Sequence, residues 1–145
     1  MPQDVDAARI PELKSIIASV LEEAARSGAS QAEADVSLQQ GLSTTVRLGE
    51  VETVEYHRDR GLGVTVYFGT RKGSASTADL SLNAVAATVA KACSIARYTA
   101  EDPYSGLADA AELAADIPDL DLDHAWDLPP EAAVELAQRC EAAGR

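Results

Sequence analysis

Gly61-Leu62-Gly63-Val64-Thr65-Val66-Tyr67-Phe68-Gly69-Thr70-Arg71-Lys72-Gly73-Ser74-Ala75-Ser76-Thr77 is the stretch whose reading decides the fold. Leu62, Val64, Val66 and Phe68 recur at every second position, and Gly63, Thr65, Tyr67 and Gly69 fill the positions between. This alternation belongs to a strand with one buried face, and its β-branched and aromatic residues suit a pleated surface. Gly69 to Gly73 breaks the alternation with turn residues, after which Ser74 to Thr77 resumes an extended run of small side chains. A hairpin at the centre of a sheet is the prediction.

Upstream, Ala34, Val36 and Leu38 alternate within Glu33 to Gln39, and Leu42, Thr44, Val46 and Leu48 alternate again after Gly41. Gly41 therefore reads as a turn between two antiparallel strands, and Gly49-Glu50 as the next turn. Val51 to His57 gives a further strand, whose glutamates place it on a wet face or at a sheet edge. Two helices flank these strands. Leu13, Ile16, Ile17, Val20, Leu21 and Ala24 form the apolar stripe of the first, with Pro11 in its opening turn and Ser27-Gly28 at its end. Leu82, Val85, Val89, Ala92, Cys93 and Ala96 form the stripe of the second, capped by Asp79 or Ser81. The predicted fold class is α+β: a mostly antiparallel sheet of four or five strands with two helices on one face.

Residues 101–128 mix prolines, aspartates and isolated apolar residues without a period, and read as a packed linker with a short helix near Ala108 to Leu113. Asp127-Leu128-Pro129-Pro130 then opens a C-terminal helix that carries Val134, Leu136, Ala137 and Cys140. The expected organisation is an α+β domain over 1–100, a linker over 101–128, and a helix over 129–145 that leads into a following domain of a longer polypeptide.

The chain has 145 residues, 46% of them hydrophobic, enough for a core that needs no disulfide or metal. A net charge of −12 repels nucleic-acid backbones and anionic lipid, so neither is expected as a partner. The basic cluster Arg58, Arg60, Arg71 and Lys72 is too small to offset it. Met1 to Asp6 shows neither the basic nor the apolar region of a secretory signal, and no apolar run reaches the ~20 residues of a membrane span. A cytoplasmic location is expected. Cys93 and Cys140 sit in predicted helices among apolar neighbours and read as buried free thiols.

Catalytic and metal-binding patterns are not found. His57 and His124 are far apart in the chain and have no co-ligand at metal-site spacing. Asp116, Asp119, Asp121 and Asp123 lack the glycine and terminal glutamate of a calcium loop and read as a solvated acidic run. Lys72 precedes Gly73 and the flanking segments are two strands, so Gly69 to Ser76 is a β-turn and not a phosphate cradle. Ser74 and Ser76 have no histidine close in sequence. No catalytic, cofactor-binding or metal-binding residue is assigned.

Three segments, in order, carry a family likeness: Glu50 to Tyr56, Gly61 to Tyr67, and Arg71 to Ser81. Together with Ile95 to Thr99, Asp102-Pro103 and Pro118 to Leu122 they resemble the amino-terminal domain of the TldD/PmbA family, known as modulator of DNA gyrase, on its PmbA (TldE) branch. The resemblance covers most of the chain from Ala32 onward. It implies a cytoplasmic zinc metallopeptidase assembled from TldD-like and PmbA-like subunits that degrades unfolded peptides. The catalytic His-Glu-x-x-x-His of that family would lie beyond Arg145 and in the TldD-like partner, so the resemblance assigns no zinc ligand here. It implies a non-catalytic part in subunit assembly or substrate guidance, with a TldD-like subunit or a second copy as partner. Strand Val51 to His57 is the candidate edge for an unfolded peptide added as a further strand, or else it packs on the next domain. The alternative to the whole reading is a free-standing α+β interaction module, whose last helix would be docked.

Overall fold

A computed structural model of the chain describes residues 9–122, 124 and 126–145. The elements run α1 (Ile10–Arg26), β1 (Gln31–Arg47), β2 (Glu50–Phe68), β3 (Arg71–Thr77), α2 (Leu82–Tyr98) and α3 (Pro130–Gly144), with one turn of 3₁₀ helix at Ala110–Glu112. The strands form one sheet in the order β1-β2-β3. The predicted α+β class and antiparallel hairpin are present. β2 pairs antiparallel with β3 from Leu62 opposite Thr77 to Phe68 opposite Arg71.

Among the described residues the sheet has three strands, not four or five. The stretch read as two strands joined at Gly41 is the single strand β1, and Val51 to His57 is the first part of β2. Gly41 does not turn the chain because its missing side chain has a different use. A Cβ there would fall on the His57 ring, so the glycine makes room for a neighbouring strand's side chain. The real reversal lies one residue before the predicted one, at Leu48 and Gly49, with φ of 56° and 83°. Two consecutive left-handed residues are the signature of a type I′ turn, whose twist matches that of the strands it joins.

The described chain divides into two compact units, one of residues up to 37 with 60–118, the other of 38–59 with 119–145. In the first, Leu62, Val64 and Val66 of β2 meet Val20 and Ala24 of α1 and Val85, Val89, Ala92, Cys93 and Ala96 of α2. Full burial of each larger aliphatic side chain contributes roughly 1.5–3 kcal/mol. α1 ends where Ser27-Gly28 predicts: Ala29 N–H donates to Ala24 O and Gly28 N–H to Ala25 O, while Gly28 takes φ 86°. Those two bonds are the Schellman closure. α2 starts at both residues proposed for its cap, since Ser81 Oγ accepts from Ala84 N–H and Asp79 Oδ1 accepts from Ser81 N–H at 2.9 Å. β3 lies so close to α2 that a Cβ on Gly73 would enter the van der Waals space of Ala92 O and Ala96 N. Alanines on the helix and glycine on the strand make that approach possible.

In the second unit the 38–59 hairpin carries α3 on its tip. The Glu141 carboxylate accepts the N–H of Leu48 at 2.5 Å and of Gly49 at 2.7 Å, and Gln138 Nε2 donates to Gly49 O at 3.1 Å. One acidic side chain thus satisfies both turn amides, which a type I′ turn directs outward.

Candidate functional site

The residues considered for chemistry are not brought together. His57 lies against Gly41, and His124 is exposed on the connecting segment before α3. Cys93 is in the core as predicted, but Cys140 is exposed, because α3 turns only part of its circumference to the hairpin and buries only Ala133. Asp116, Asp119 and Asp121 are exposed, and Asp119 Oδ1 accepts the N–H of Asp121 in a local turn; Asp123 lies outside the described residues. No group of three metal-ligating side chains converges among the described residues. Among the described residues the side chains do not fit a zinc site. Lys72, Gly73, Ser74 and Ser76 lie on β3, where Ser74 Oγ is 2.9 Å from Thr65 Oγ1, so this glycine run opens a strand and not a helix.

The sheet face opposite the helices carries polar groups. Tyr67 OH donates to Glu33 at 3.1 Å, and burial pushes the Tyr67 phenol up, with the Glu33 hydrogen bond and charge adding to it. At the start of α2 the Ser81 backbone N–H, then its hydroxyl, holds the Asp79 carboxyl low; partial desolvation opposes this and the Arg60 charge assists it. Arg60 donates to Ala78 O and Arg71 to Arg97 O and Glu101, so these basic residues are used in local ties and form no open patch.

What remains is an exposed edge and an apolar groove in the 38–59 hairpin. β3 covers β2 only from Leu62 onward, so the edge of Glu50 to Asp59 away from β1 has no strand beside it among the described residues. Every residue from Glu50 to Asp59 is exposed, including Val51 at 47%, Val54 at 42% and Tyr56 at 72%. On the other strand, Leu42 and Thr44 form with α3 and Trp126 an apolar groove of about 420 Å³. Sequence reasoning found the Val51 to His57 edge from its glutamates. It missed Glu141, whose partners lie 92 and 93 positions away and leave no local signal.

These features define an exposed strand edge and an apolar groove on an α+β fold, and comparison with known proteins supplies the family. Residues 32–96 match the family described as PmbA/TldA metallopeptidase domain 1. The Metalloprotease PmbA of Escherichia coli O157:H7 is 54% identical over 112 residues, 77% of this chain and 25% of that protein. A Metalloprotease PmbA homolog of Haemophilus influenzae is 46% identical over 132 residues, 91% of this chain and 29% of that protein. The fold is shared with a crystal structure described as a modulator of DNA gyrase from Bacteroides thetaiotaomicron, with TM-score 0.82 and 23% identity over 93% of this chain and 31% of that one. It is shared also with TldE from Thermococcus kodakarensis, with TM-score 0.67 and 14% identity over 88% of this chain and 29% of that one. The chain belongs to the TldD/PmbA family, on its PmbA/TldE side, through that family's first domain. It spans about a quarter of the length of the curated relatives it matches.

Proposed function

We propose that the chain is the non-catalytic amino-terminal part of a PmbA/TldE-like subunit in a cytoplasmic zinc metallopeptidase that cleaves unfolded peptides. Residues 1–100 form its first domain, 101–128 a linker, and 129–145 a helix that leads into the next domain. The observation that carries this reading is the match of residues 32–96 to domain 1, together with identity of 54% to a named metalloprotease. Zinc belongs to the TldD-like partner in this reading. The chain's own work is assembly or guidance, and the uncovered edge of Glu50 to Asp59 is the surface suited to either.

The test is co-purification. The full natural chain and a TldD-like subunit from the same source should co-elute and hydrolyse an unfolded peptide together, with hydrolysis lost on zinc chelation. Separate elution with no hydrolysis by the mixture would overturn the reading. One observation favours the second reading, a free-standing interaction module: α3 is docked on the hairpin tip through Glu141 and Gln138. That reading predicts peptide or protein binding with no hydrolysis in any mixture.

A further inference from the structure

We draw no further inference here: the strongest candidate, the apolar groove between β1 and α3 lined by Leu42, Thr44, Trp126, Leu136 and Cys140, is an unpartnered face, and nothing in the structure shows what covers it.

Discussion

Replacing Gly73 by alanine should destabilise the protein, against the usual sign for such a change. An extended glycine replaced by alanine ordinarily gains about 0.4–1 kcal/mol, because the unfolded chain has fewer conformations to lose. At Gly73 the added methyl would lie 2.9 Å from Ala96 Cα and closer still to Ala92 O and Ala96 N, all backbone atoms of α2. Backbone does not swing aside as a side-chain tip does, so the helix must shift away from β3 and from the core it covers. Overpacking of this kind costs about 1–3 kcal/mol. Each kcal/mol lowers Tm by roughly 2–8 °C for domains in this size range. Gly61→Ala is the matched control: it lies on the same sheet, and its Cβ would meet nothing closer than Ser37 Oγ at 3.6 Å. It should be neutral or slightly stabilising. Urea and thermal unfolding of both variants read the difference, with an unchanged m-value showing that stability alone has moved. If Gly73→Ala were as stable as Gly61→Ala, the close approach of β3 to α2 would be refuted.

Three further outcomes are expected. Leu48 holds a left-handed φ of 56° with its side chain 70% exposed, so Leu48→Asn should stabilise by about 0.5–1 kcal/mol in chemical denaturation, relieving the turn without loss of core. Glu141→Gln leaves only one oxygen for two turn amides, and hydrogen exchange at Leu48 and Gly49 should accelerate, corresponding to about 1 kcal/mol. Unchanged protection there would refute the clamp. Tyr67 has a raised folded pKa, so its stabilising contribution is complete below the unfolded value of 10.0 and is lost as pH rises through the folded value. Stability measured above pH 10.0 should therefore fall less steeply in Tyr67→Phe than in the parent.

Much of the architecture is legible in the chain because its signals are local. Period-two alternation in Leu62 to Phe68 places those residues on one face of a strand whatever lies beyond it. Ser27-Gly28 ends α1, and Asp79 with Ser81 starts α2, through hydrogen bonds that span only a few residues. The ordered segments from Glu50 to Ser81 likewise carry the family likeness in their order alone. Glycine is where local reading fails, since the same absent side chain serves a turn at Gly49, room for a histidine at Gly41 and contact with a helix at Gly73.

The sequence by itself determined the element types, most helix ends and the family. Only the tertiary structure decided that Gly41 lies within one strand, that Cys140 is exposed, that β3 pairs with β2 only from Leu62 onward, and that Glu141 holds the Leu48-Gly49 turn. The physical reason is range. Dihedral preference and side-chain periodicity act over a few residues, whereas room at a glycine or a partner for a turn amide is set by atoms that packing brings in from distant parts of the chain.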